Sequence, residues 1–150
     1  MADSYLFTPV VNGGTLTTTT SYQDIPNLTY TVVAGGTYRF AVYLVYQAST
    51  TAAIFQPTVA GTCTATYVVY KARIQTNVNG ASNSQLQNAL AMPSVTPAGS
   101  APNAATTNYA ANVEGLIVVA TGGTLTVQAK HGGAACTVQS GGRFLLEQVA

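Results

Sequence analysis

Charge is the scarcest commodity in this chain. Only 6% of its 150 residues are Asp, Glu, Lys or Arg, where about 25% is usual. A surface so poor in charge risks self-association when free, which favours a protein largely covered by partners. The five basic residues, Arg39, Lys71, Arg73, Lys130 and Arg143, form no cluster. Binding to nucleic acid through phosphate neutralisation is therefore not expected. No apolar run approaches the ~20 residues of a transmembrane helix, so no membrane partner is expected either. Met1-Ala2-Asp3-Ser4 lacks the basic start and apolar run of a secretion signal, which favours a product that does not use that export route.

Catalytic chemistry is equally thin. His131 is the only histidine, and Lys130 before it and Gly132-Gly133 after it suggest an exposed hairpin tip. No serine lies in a nucleophile elbow. The four acids, Asp3, Asp24, Glu114 and Glu147, are scattered, so neither a carboxylate pair for sugar hydrolysis nor a metal cluster stands out. No enzyme activity and no cofactor are expected. Cys63 and Cys136 are the only cysteines. They are either a disulfide between neighbouring strands or two small buried hydrophobes.

What is present is β-forming. The 47% apolar content is normal, and a domain of this length buries roughly 70% of its unfolded surface. The chain is expected to form a single domain over residues 1–150. Gly pairs at 13–14, 35–36, 122–123, 132–133 and 141–142 mark turns, because glycine tolerates positive φ. Runs rich in Val, Thr, Tyr and Ile predict strands at Tyr5–Val11, Thr15–Thr20, Leu28–Val33, Thr37–Gln47, Ala52–Val59, Thr64–Thr76, Val113–Ala120, Thr124–Ala129, Cys136–Gln139 and Arg143–Val149. Many short strands with Gly-rich turns make an all-β antiparallel sandwich or barrel.

The stretch Tyr38–Tyr46 has no clearly wet side. Tyr38, Phe40, Val42, Leu44 and Tyr46 share one parity, and Arg39, Ala41, Tyr43 and Val45 share the other. Successive side chains of a strand point to opposite faces, so one set fills a core and the other stays sticky. Asn77–Thr107, rich in Asn, Ala, Ser and Pro, stands apart as either a long ordered contact loop, the favoured reading, or a disordered excursion. Within it Ser84–Met92 could form a short helical turn capped by Asn83. Met1–Val11 is either an N-terminal arm or an edge strand. Asn27-Leu28-Thr29 fits a glycosylation acceptor but reads as structure, since Leu28 opens a predicted strand. Tyr22, Tyr67 and Tyr109 are candidate contact residues, or half-buried sheet residues.

Gly36-x-Tyr38-x-Phe40, followed by its aromatic-rich strand, resembles the jelly-roll family of complement globular heads and tumour necrosis factor. Gly142-Arg143-Phe144-Leu145-Leu146 is similar to that family's last strand. The run from Gly115 to Ala129 looks like its strand–turn–strand unit. Together, over roughly residues 22–149, these motifs more closely resemble small virion proteins of tailed bacteriophages, which include head decoration (cement) and fibre proteins. The resemblance implies a homotrimer whose inner sheets pack about a three-fold axis. It places Arg39, Ala41, Tyr43, Val45, Glu114, Leu116, Val118, Arg143, Leu145 and Glu147 at the trimer interface. Tyr38, Phe40, Val42, Leu44, Ile117, Val119, Phe144 and Leu146 then fill the core. Arg39, Glu114, Arg143 and Glu147 would pair across the subunit contact, or simply mark a wet face. The expected role is a capsid decoration protein on the virion surface, assembled in the host cytoplasm with the major capsid protein as partner. The alternative is a tail or fibre head that binds a host glycan.

Overall fold

In the computed structural model, which describes residues 10–13, 15–79, 82–89 and 101–149, the chain alternates between two packed antiparallel sheets. The strands are β1 (Val10–Gly13), β2 (Leu16–Thr17), β3 (Gln23–Val32), β4 (Thr37–Ala48), β5 (Ile54–Ala60), β6 (Thr64–Gln75), β7 (Ser82–Ala89), β8 (Asn108–Thr121), β9 (Gly123–Gly132), β10 (Cys136–Val138) and β11 (Gly142–Gln148). The large sheet runs β1-β11-β4-β8-β6-β7, with β10 joining β4 to β2. The small sheet runs β3-β9-β5. This is an all-β, jelly-roll-like sandwich. Among the described residues there is no helix, and hence none long and apolar enough to cross a membrane.

Alternation decides which face is buried. Along β4 the inward set Tyr38, Phe40, Val42, Leu44 and Tyr46 is buried. Ile117 and Val119 on β8, and Phe144 and Leu146 on β11, complete that side of the core. Ile25, Leu28, Val32, Phe55, Val59, Leu125 and Val127 face them from the small sheet. The two sheets meet most visibly where Tyr46 stacks on Phe55, with centroids 4.4 Å apart.

Glycine is essential at two kinds of place. Gly35 turns the β3–β4 connection with φ +78°, a region that side chains disfavour. Gly115 sits mid-strand between Phe40 of β4 and Tyr70 of β6. A Cβ there would lie 2.7 Å from Phe40 Cζ.

Several expectations are corrected. Ser84–Met92 was expected to hold a helical turn capped by Asn83, but Ser82–Ala89 is strand β7, paired with β6 from Val68↔Ala89 to Gln75↔Ser82. Isolated helices below about 12 residues are marginal in water. A strand here instead satisfies a whole row of β6 backbone groups. The long loop is thereby shortened, and its remainder over residues 90–100 lies outside the described residues. Val10–Gly13 pairs with β11 as an edge strand, while the rest of the expected arm also lies outside. β8 starts at Asn108 rather than Val113, and β3 at Gln23 rather than Leu28. Asn27, the sequon residue, takes φ +65° inside the irregular β3 register between Asp24 and Thr29, and Leu28 beside it is fully buried.

His131 is not at a hairpin tip. It lies within β9 opposite Phe55, and its Nδ1 is 2.9 Å from Thr18 Oγ1. Gly133, φ +74°, makes the turn instead. The cysteines are free and buried. Cys63 binds the Thr124 carbonyl through its amide, whereas Cys136 pairs with Ala48 in the other sheet. The disulfide alternative is thereby closed.

Candidate assembly face on the large sheet

The outward parity of the large sheet brings the expected interface residues onto one surface. In register across β11, β4, β8 and β6 run three rows. The first is Arg143, Tyr43, Asn112 and Arg73. The second is Leu145, Ala41, Glu114 and Lys71. The third is Glu147, Arg39, Leu116 and Val69. Val118 continues the face towards Thr37 and Tyr67, and Val45 lies opposite Ala110.

The apolar members of this face are only partly covered. Tyr43 and Val45 are each 40% exposed and Tyr67 41%. Ala41, Val69, Leu116, Val118 and Leu145 are half-buried. A sheet face that met only water would normally carry polar side chains at these positions. Between the ends of β4, β8 and β11 lies an open depression of about 470 Å³, walled by Tyr43, Val45, Ala110, Asn112, Arg143 and Leu145.

Charge on the face is held in place by local contacts. Arg39 Nη1 lies 3.7 Å from Glu147 Oε2, across the β4–β11 pair. Glu147 is largely buried and Arg39 is open, so this pair closes within one chain and needs no second copy. Arg39 and Glu147, two of the four charges expected either to pair between subunits or to mark a wet face, are thus partners within one chain. Their cross-strand registry explains it, since Arg39 and Glu147 are direct neighbours. Tyr43 donates its hydroxyl to Glu114 Oε1 at 3.3 Å. Burial, then the Glu114 charge and that hydrogen bond, push the Tyr43 phenol up from its ordinary value.

Most of the outward side of β6 and the start of β8 lie beyond the residues expected at the interface. Val69, Lys71 and Arg73 extend the same face beside Tyr67, which the sequence did single out. The signal was present, because Val68, Tyr70, Ala72 and Ile74 alternate with them and are all buried. Asn112 and Ala110 were missed because β8 was begun too late.

The candidate contact tyrosines separate. Tyr67 is on the face. Tyr109 is buried, its hydroxyl accepting from the Ala104 amide at 3.0 Å, so it pins a connection and is not a contact residue. Tyr22 is half-buried, with Lys130 Nζ 4.6 Å from its ring centroid, and burial pushes its phenol up to about 12. Among the described residues, no three of His, Cys, Asp and Glu gather closely enough to hold a metal ion.

No protein-family model matches the chain, and no curated protein matches it. Among solved structures, it is similar to a chain of the infectious bursal disease virus Gx strain structure, at 10% identity and a TM-score of 0.29. That match covers 96% of this chain and 40% of the other. It is also similar to the CBM22-1–GH10 modules of Clostridium thermocellum xylanase 10B, at 10% identity and a TM-score of 0.24. Here the match covers 87% of this chain and 26% of the other. The chain thus spans well under half the length of either, and likeness at this level does not inform function.

Proposed function

We propose that the chain is a virion structural protein: a homotrimeric decoration protein that packs its large sheets about a three-fold axis and clamps neighbouring capsid subunits. The observation that carries this reading is the second apolar face of β4, where Tyr43 and Val45 remain 40% exposed in the single chain beside half-buried Leu116 and Leu145. Burying apolar surface is worth about 25 cal/mol per Å², and a face of this kind is a site of association rather than of solvation. The order of the Gly36-x-Tyr38-x-Phe40, Gly115–Ala129 and Gly142–Leu146 motifs, which resembles that of phage virion proteins, supports the choice of scaffold. The mechanism is passive and non-catalytic: several weak contacts per trimer add through multivalency.

Sedimentation velocity of the purified chain at micromolar concentration tests the first half, with a three-chain species expected and a stable monomer overturning it. Addition to empty phage shells tests the second. Saturable binding with raised heat tolerance of the shells is expected, and absence of binding overturns the decoration role. The depression bounded by Tyr43, Asn112 and Arg143 favours a second reading, a fibre head that binds a host glycan, because an aromatic wall beside amide and guanidinium donors suits a sugar. Glycan-array binding that Tyr43→Ala abolishes, with no binding to shells, would select it.

A further inference from the structure

We infer that the outer edge of β7 pairs with β7 of a second copy, antiparallel about a twofold axis, so that the large sheet runs on from one chain into the next. β7 ends the large sheet: it pairs with β6, and among the described residues no strand lies beyond it. Its pairing with β6 is unbroken over its eight residues, from Val68↔Ala89 to Gln75↔Ser82. Half of the backbone N–H and C=O groups of such a strand point away from its one neighbour, and they need partners.

The other strand edges of the sandwich are guarded, and β7 is not. Pro57 stands in the middle of β5, where a proline removes an edge donor. β3 carries Pro26 and, next to it, Asn27 at φ +65° inside an irregular register. β1 has four residues and a register shift between Val11 and Gly13, and β2 has two residues. Prolines, bulges and shortness keep sheet edges from joining. Ser82-Asn83-Ser84-Gln85-Leu86-Gln87-Asn88-Ala89 has no proline, no glycine and no charge.

The sequence of the strand selects a second copy as the occupant. In an antiparallel pair, opposite residues share a face of the sheet, so a strand that pairs with itself must match odd positions with odd and even with even. A register centred on Leu86 meets that condition. It sets Leu86 opposite Leu86, Gln85 opposite Gln87 twice over, and Ser84 opposite Asn88 twice over. Leucine meets leucine, amide meets amide, and no like charges face each other. Lys71 and Arg73 of β6 stay three strand spacings from their twins, about 14 Å, beyond the ~8 Å Debye length at physiological salt. Ser84, Leu86 and Asn88 share the parity of Arg73, Lys71 and Val69, their register partners on β6, so like faces continue across the joint. The contact lies at the rim of the sheet and stands whether or not the trimer does.

Sedimentation equilibrium of the full chain over a range of concentrations tests this. Pairing at β7 joins whatever unit the face makes, so wild type should form species built of whole trimers, or of two chains if the face stays free. Ser84→Glu with Asn88→Glu sets like charges opposite each other at two places and should weaken this association by about tenfold. Ser84→Glu with Asn88→Lys sets opposite charges there and should match or exceed wild type. Far-UV circular dichroism and melting confirm that both variants fold. A wild type that stops at three chains overturns the β7 contact and leaves the trimer standing. A two-chain species that the like-charged variant loses keeps the contact and overturns the trimer. A single chain at every concentration overturns both. A like-charged variant that associates as wild type does, or an oppositely charged one that does no better than it, overturns the pairing.

Discussion

Tyr46 of β4 and Phe55 of β5 stack almost parallel, 14° from coplanar with centroids 4.4 Å apart, and so join the large sheet to the small one. Both are fully buried. Tyr46 also donates its hydroxyl to the Gln75 carbonyl at 2.7 Å, which ties the end of β6 to the same point. Phe55→Ala should lower unfolding stability by about 3–5 kcal/mol, since it removes a ring that close-packed neighbours cannot replace. Tyr46→Phe keeps the stack and loses only the hydrogen bond, and should cost about 0.5–1.5 kcal/mol. Urea denaturation of the two variants checks the order. Equal losses would mean that the stack is not the main tie between the sheets.

Gly115→Ala should destabilise, although a mid-strand glycine replaced by alanine ordinarily gains up to about 1 kcal/mol. The sign reverses because the new methyl would press on the Val69 carbonyl oxygen and sit 2.6 Å from Tyr70 Cβ and 2.7 Å from Phe40 Cζ. Overpacking of this kind costs about 1–3 kcal/mol. Adding Phe40→Leu to Gly115→Ala should recover part of the loss, because the two sites share one contact. A thermal melt of Gly115→Ala at or above wild type would disprove the crowding argument.

Thr18 works as a staple between β10 and β9. Its buried hydroxyl accepts from the Cys136 amide at 3.0 Å and lies 2.9 Å from both the Cys136 carbonyl oxygen and His131 Nδ1. Thr18→Val keeps the shape and leaves the Cys136 amide without its acceptor, at a cost of about 1–3 kcal/mol. His131→Ala should cost less, since His131 is only half-buried and water can replace it. The midpoint of chemical denaturation, measured for both variants, tests the ranking.

Period-2 alternation made β4 and the outward face beside it legible in the sequence, because sheet burial is a local rule repeated along a strand. Tyr38 to Tyr46 shows both apolar parities directly. Alternation says nothing about partners, so the pairing of Arg39 with Glu147 needed the register of β11 on β4. Ser82–Ala89 misled for a related reason. Its composition suits a short helix, but the exposed edge of β6 decides its conformation, and that edge is invisible locally. Asn108–Asn112 was missed because Asn and Ala are poor strand formers held in place by pairing on both sides. His131 was misplaced because its Gly neighbours signalled a turn that falls at Gly133, two residues further along, after β9 has ended at Gly132.

Alkaline pH should unfold the protein through its buried weak acids, Cys63, Cys136 and Tyr46. Burial pushes the Cys136 thiol up from about 9 to about 11 and raises Cys63 as well, because a thiolate in an apolar interior loses its hydration. Tyr46 is raised by the same cause. The folded state therefore holds protons that the unfolded state has already released. Stability falls with pH wherever the unfolded chain binds fewer protons. For Cys136 the contribution is complete below about 9 and is lost as pH rises through about 11. The melting temperature should stay flat from neutral pH to about 9 and then drop. Cys136→Ala should flatten the first part of that drop, even though the cavity lowers the melting temperature at neutral pH. Ellman's reagent should leave both thiols unmodified at neutral pH until denaturant is added. Rapid labelling of the native protein would show that Cys63 and Cys136 are not sealed in the sandwich.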